Sequence, residues 1–255
     1  MFRAGSLCQH AAMDPREVMQ ATAGKIGDIG AAFYFAPETL QRGKDAGLDG
    51  FRFYFLGRGG VLGDVESGVI RAAFGYFEPG LVEKIWTSAK EIMPPREAAR
   101  LYISCAHELG RSKFARLDGL DDFVAAAATV IGAVEGTSLP LFEAVRCEPV
   151  PDDEPAAAMH QVMVLRELRG SVHLLANTAC GLESRHAHGI RRPDEFKMFG
   201  YESEIVVTDD DRAKWLRAEQ LTDEILVPAY DHLTTEQAKA MIAGVDAMHA
   251  TLDAE

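Results

Sequence analysis

Four cysteines in 255 residues, Cys8, Cys105, Cys147 and Cys180, lie far apart and form no CxxC pair. That spacing excludes a zinc ribbon and a disulfide framework and marks them as reduced thiols. No run approaches the roughly 18 to 20 uninterrupted apolar residues of a membrane span, and the opening Met1-Phe2-Arg3-Ala4-Gly5-Ser6 has no apolar signal core. A cytoplasmic protein with no membrane partner is the expectation. Basic residues are also short: 26 Lys and Arg against 39 Asp and Glu give a net charge of −13. Such a field repels phosphate backbones, so nucleic acid is not the expected partner unless a local basic face exists. The best clusters, Arg166/Arg169, Arg185 with Arg191-Arg192, and Arg96/Arg100, form no run of five and have no interleaved aromatics. The chain further lacks GxSxG, HExxH and GK[ST], which leaves covalent catalysis, zincin chemistry and phosphate-loop binding without a motif. No cofactor is expected.

What is present is helical. Strand signals are few, while capping patterns recur at Asp14-Pro15-Arg16-Glu17, Pro94-Pro95-Arg96-Glu97, Asp118 before Leu120, Thr208 through Asp211, and Thr234-Thr235-Glu236-Gln237. Segments 15–33, 37–46, 79–92, 95–112, 119–135, 156–185, 209–219 and 234–251 read as helices. Phe51-Arg52-Phe53-Tyr54-Phe55 and Glu204-Ile205-Val206-Val207 are the places for a short strand or wing. With 47% apolar residues, the chain can bury a sizeable core.

Three prolines and four acids in the nine residues from Cys147 to Pro155 cannot propagate a helix, and they divide the chain. The expected organisation is an N-terminal helical half (1–147), a linker (148–155) and a C-terminal half (156–255) carrying a long helix. Faint echoes link the halves. Ala46-Gly47-Leu48-Asp49 resembles Cys180-Gly181-Leu182-Glu183, and Phe74-Gly75-Tyr76 recurs as Phe199-Gly200-Tyr201. Duplication and chance account for these about equally.

The segment from Val162 to His188 is the most informative. Leu165, Leu168, Val172, Leu175, Ala179 and Leu182 fall at helical spacing as a core stripe, whereas Arg166, His173, Asn177 and Cys180 share another face among small or apolar neighbours. Polar groups in that setting require partners, a ligand or each other. Leu165 to His188, with its Arg-Gly-x-x-His run, Gly-Leu pair and later His, resembles the signature segment of the SalK-like family of actinobacterial helical proteins. Tyr34 to Glu38, Ala46 to Arg58, Leu62-Gly63 and Ala73 to Pro79 extend that resemblance over most of the chain. It implies a degenerate helix-turn-helix fold and no general activity; the chain departs from the pattern over Gly189 to Phe196.

These readings converge on a mainly α protein: two associated helical halves of helix-turn-helix or winged-helix-like ancestry around a long central helix. The leading expectation is a small-molecule-binding protein, or an enzyme of specialised metabolism, with a pocket between the halves. His173 is the candidate general acid/base, because an imidazole titrates near neutrality. Asn177, Arg58, Tyr54 and Cys180 are the candidate ligand contacts, with Arg58 orienting an anionic group. The alternative is a transcriptional regulator or partner-binding protein. A third reading is a homodimer joined through Leu226, Tyr230 and Met241. Glu183, His186 and His188 form the runner-up site, for a metal, although a two-residue His spacing brings both rings together only on extended backbone.

Overall fold

Aspartate, proline and threonine at the boundaries decide where helices start. The structure, a computed structural model, describes residues 13–203 and 205–254, so Cys8 and Glu204 lie outside the described residues. Asp14 accepts from the Arg16 amide and Pro15 opens α1 (Pro15–Ala31). There follow α2 (Pro37–Asp45), α3 (Gly50–Gly59), α4 (Ser67–Phe74), α5 (Pro79–Lys90), α6 (Pro95–Phe114), α7 (Leu120–Ala133) and α8 (Pro140–Arg146). The long α9 (Glu154–Ala179) starts where Asp153 accepts from the Ala156 amide. After α10 (Ser184–Arg191), α11 (Asp209–Tyr230) and α12 (Thr235–Asp253) each begin with a complete capping box, Thr208/Asp211 and Thr234/Gln237.

The protein is all-helical among the described residues, and α9 is its axis, touching α1, α6, α7, α8, α10 and α11. Its first three turns, Ala156 to Leu165, are buried all round, the mark of a helix inside a core. No described helix is long and apolar enough to cross a membrane.

Several local expectations are corrected. Phe51 to Phe55 is no strand or wing: Asp49 caps the run by accepting from the Arg52 amide, and it becomes α3, with Phe53, Tyr54, Phe55 and Leu56 all buried. A short continuous apolar run does not distinguish a buried strand from a helix buried on every side. Ile205 to Val207 is irregular, with Val206 83% exposed. The helix expected over 156–185 stops at Ala179, because Gly181 takes φ +66°, and restarts as α10. The core stripe ends with it: Leu165, Leu168, Val172 and Leu182 are buried, but Leu175 and Ala179 are exposed. Conversely α11 runs on through Pro228 to Tyr230 rather than stopping near 219. Leu226, Tyr230 and Met241 are buried within the chain's own core, so they are not an exposed interface.

The sequence echoes fall on equivalent devices. Gly47 (φ +82°) and Gly181 (φ +66°) each follow a helix, Leu48 and Leu182 each bury, and Asp49 and Glu183 each take the N-cap of the next helix. Both second helices lead to a 3-10 turn, Gly60–Leu62 and Pro193–Glu195. Gly75 and Gly200 in the two Phe-Gly-Tyr runs share positive φ, +72° and +92°. The runs also meet: Phe77 stacks on Phe199 at 4.2 Å, and the Glu78 amide donates to the Phe199 carbonyl at 2.9 Å.

Close helix contact depends on glycine at Gly60, whose φ of −65° any residue could adopt. A Cβ there would run into the Pro95 carbonyl oxygen, backbone that cannot step aside. Gly60→Ala is expected to destabilise by about 3 kcal/mol through overpacking. Urea unfolding would show it; a loss below about 1 kcal/mol would mean the junction is looser than this geometry.

Candidate functional site

Arg166, Gly170, His173 and Asn177 recur at helical spacing along one face of α9. Two polar clusters sit on and beside that face. At its N-terminal end Glu167, with its side chain 3% exposed, receives Arg58 in a two-pronged bridge, Nε to Oε1 at 2.8 Å and Nη2 to Oε2 at 2.7 Å. Tyr34 donates its hydroxyl to the same carboxylate at 2.9 Å, and Arg166 donates to the Tyr34 hydroxyl at 2.6 Å and to Glu167 at 3.3 Å. Burial alone would raise the Glu167 pKa, but Arg58 and then Arg166 and Tyr34 outweigh it and hold the carboxyl down at about 2. Arg58 also donates to the Tyr54 hydroxyl at 3.0 Å and lies 4.3 Å over the Phe74 ring. A cavity of about 20 Å³, room for one water, opens between Tyr34, Arg58, Tyr102 and Glu167.

Farther along, Gly75 is required twice, by its positive φ and because any Cβ would strike Leu174. It seats Tyr76 against α9, 6.5 Å from the His173 ring centroid and 6.2 Å from that of His188. Asn177, 0% exposed, donates to the Tyr76 hydroxyl at 3.3 Å, while its carbonyl oxygen is buried without a partner among the described residues. His188 Nε2 is buried and unpartnered as well, its ring 3.9 Å from Phe199. His173 shares a hydrogen bond with the Thr222 hydroxyl at 3.0 Å and has Glu219 3.6 Å from Nε2. Burial lowers its pKa; Glu219 opposes that shift, and Arg169 and Arg191 add to it, so the ring is neutral at pH 7. Arg169 pairs with Glu219 at 2.8 Å. A Cβ built on Gly170 meets nothing within 4 Å, so space lies open beside this face.

The structure therefore brings His173 and Asn177 together around Tyr76 and gathers Arg58 with Tyr54 at Glu167. Cys180 caps the C-terminus of α9, beyond both clusters. Glu183 and His186 face one another at 3.8 Å, but His188 turns inward to Phe199 because α10 is a helix and residues two apart diverge. No group of three or more His, Cys, Asp or Glu able to hold a metal occurs among the described residues. Glu167, Tyr34, Glu219 and Thr222 were not singled out by sequence, whereas Tyr76 was, within the Phe74-Gly75-Tyr76 run. Glu167 alone left a signal there, a carboxylate inside an otherwise apolar helix start. A larger cleft of about 380 Å³ lies elsewhere, between Asp64, Lys90, Met93 and Arg96. Its two cations are already taken, Lys90 by Asp64 and Arg96 by Glu148, so it offers less free chemistry than the α9 face.

All-helical among the described residues, with the glycine-turned helix pairs α2–α3 and α9–α10, the chain has a helix-turn-helix architecture. It belongs to the Helix-turn-helix family, whose model matches residues 19–199. No curated protein and no solved structure matches the chain.

Proposed function

We propose that this is a small-molecule-binding protein that uses the α9 face between Gly170 and Asn177, set among Tyr76, His173 and His188. The observation that carries the reading is the Asn177 carbonyl oxygen, fully buried with no partner among the described residues. An acceptor left so costs about 1–3 kcal/mol, which a ligand donor or a bound water recovers. The neighbouring His188 Nε2 carries a similar deficit. His173, held neutral by burial, is able to accept a proton from a bound molecule, which is the role a general base needs if the protein is an enzyme. The Arg169-Gly170-x-x-His173 and Gly181-Leu182 runs that liken the chain to SalK-like proteins line or adjoin this face, and we extend the proposal to that finer kinship. A cytoplasmic location is part of the same reading.

The family also supports a regulator, and one observation favours it. In the first glycine-turned pair the second helix, α3, is interior and cannot enter a DNA groove. In the second pair α10 is at the surface and exposes Arg185 and Arg191, followed by exposed Arg192. Two of those are paired, Arg185 with Glu183 and Arg192 with Glu195, which weakens the phosphate term in an already acidic protein.

Untagged protein should carry a co-purifying small molecule in native mass spectrometry and bind random duplex DNA no better than about 10⁻⁴ M at physiological salt. A protein at bare chain mass that binds DNA in the micromolar range, with steep salt dependence, reverses the order of the two readings.

A further inference from the structure

We infer that residues 193–201 form a strap that lifts as one piece from α10 and the α4–α5 turn and uncovers the His188 end of the α9 site. This deepens the ligand-binding reading and rests on it for its purpose, the admission of a ligand. At that end the site is shut: the Phe199 ring lies 3.9 Å from His188 and 4.2 Å from Phe77, which leaves no slot between them. Behind His188 come the Tyr76 ring, 6.2 Å away, and Asn177, bonded to the Tyr76 hydroxyl. A molecule that is to meet His188 Nε2 therefore needs Phe199 to leave first.

The strap is built to move without losing its own shape. Beyond the 3-10 turn at Pro193–Glu195 it has no helix, and it closes on itself: the Tyr201 amide donates to the Phe196 carbonyl at 3.3 Å, and the two rings stack at 4.6 Å. A surface loop packed by its own side chains behaves as one compact unit. Its ion pair, Arg192 with Glu195, ties it to its own stem. Bonds to the rest of the protein are few among the described residues: the Glu78 amide donates to the Phe199 carbonyl, and the His188 ring bonds the Glu195 backbone. Phe196 and Phe199 supply the grip on His188, while Lys197 and Met198 between them face solvent. Closure also strands His188 Nε2, buried without a partner among the described residues, and lifting gives it water. A segment so lightly bonded, over an unsatisfied atom, opens at a lower free energy than the core helices.

The test treats the full chain, with no ligand added, with diethyl pyrocarbonate at pH 7 and reads histidine modification by peptide mass spectrometry. His160 is the internal control: it is 1% exposed and its Nε2 also lacks a partner among the described residues, but it sits at the α6–α9 contact instead of under a loop. Burial lowers the pKa of both imidazoles, so both are neutral and differ in access alone. His188 is expected to be modified at least about tenfold faster than His160. Phe199→Ala should speed His188 by a similar factor and leave His160 unchanged. Equal rates at the two histidines in the wild type, or an unchanged His188 rate in Phe199→Ala, overturn the strap. Should the variant speed His160 as well, the whole fold has loosened and the wild-type Glu78 amide decides, since its partner is the Phe199 carbonyl. That amide should exchange with deuterium at least about tenfold faster than the amides of α9, and exchange at the α9 rate overturns the strap. The ligand-binding reading stands or falls separately, on the native mass spectrum.

Discussion

Glu167→Ala is expected to lower the melting temperature by about 10 °C, more than any loss of an exposed ion-pair partner. The carboxylate is buried where α3 and α9 meet the turn after α1 and is the one acid shared by Arg58 and Arg166 among the described residues. Removing it strands two guanidiniums among Tyr34, Tyr54, Tyr102 and Phe74, where water reaches them poorly. Breaking a buried pair by deleting one partner costs about 3–5 kcal/mol, far above the 0–1 kcal/mol of an exposed pair. For a chain of this size each kcal/mol moves the midpoint by about 2–4 °C. Glu108→Ala, at the exposed pair with Arg42, is the reference and should shift it by about 2 °C or less. Arg58→Met added to Glu167→Ala should recover part of the loss, because it removes one of the stranded charges. Equal midpoints for Glu167→Ala and Glu108→Ala would show that Arg58 and Arg166 find water instead.

How much of this was legible in sequence depends on which physical signal each element leaves. Helices that begin with a cap and show one apolar face, such as α1 and α12, announce themselves, because the cap satisfies amides that would otherwise be orphaned, and α6 does so through the proline of its first turn. The interior α3 does not, since a helix buried on every side has no amphipathic period, and Phe51 to Phe55 then imitates a strand. The short α4 and α8 escape for a related reason: one or two turns hold too few residues for a period. His173 and Asn177 were visible as polar residues on an apolar helix. Tyr76 was visible within the Phe74-Gly75-Tyr76 run, but its seat against α9 was not, because that seat depends on a contact between Gly75 and Leu174, about 100 residues apart in sequence, and spacing carries no trace of such a contact. Arg58 was visible as well, but its partner was not: it closes on Glu167, 109 residues on in sequence, in a two-pronged bridge.

Acidification is expected to unfold the chain between pH 6.5 and 4, and a second pair of α6 and α9 residues is the reason. His107 Nε2 and His160 Nδ1 lie 3.1 Å apart across the contact of these helices, with His160 1% exposed and its Nε2 unpartnered among the described residues. Burial, followed by Arg111 and against Asp153, takes His107 down to about 4; burial, followed by His107, takes His160 to about 4. In the unfolded chain both titrate near 6.5, so the unfolded state takes up protons first as pH falls. The stability these groups contribute is therefore fully present above pH 6.5 and lost as pH drops toward 4. A shift of this size is worth about 3 kcal/mol for buried His160 and less for His107, whose edge stays in solvent. Glu167 adds nothing in this window's upper part, since its depressed carboxyl loses its contribution only as pH falls below the unfolded carboxylate range toward 2. His160→Leu removes the buried base and an unsatisfied nitrogen together, so urea midpoints measured at pH 7, 6, 5 and 4.5 should fall less steeply than in the wild type. An unchanged slope would mean that the acid sensitivity resides outside the α6–α9 contact.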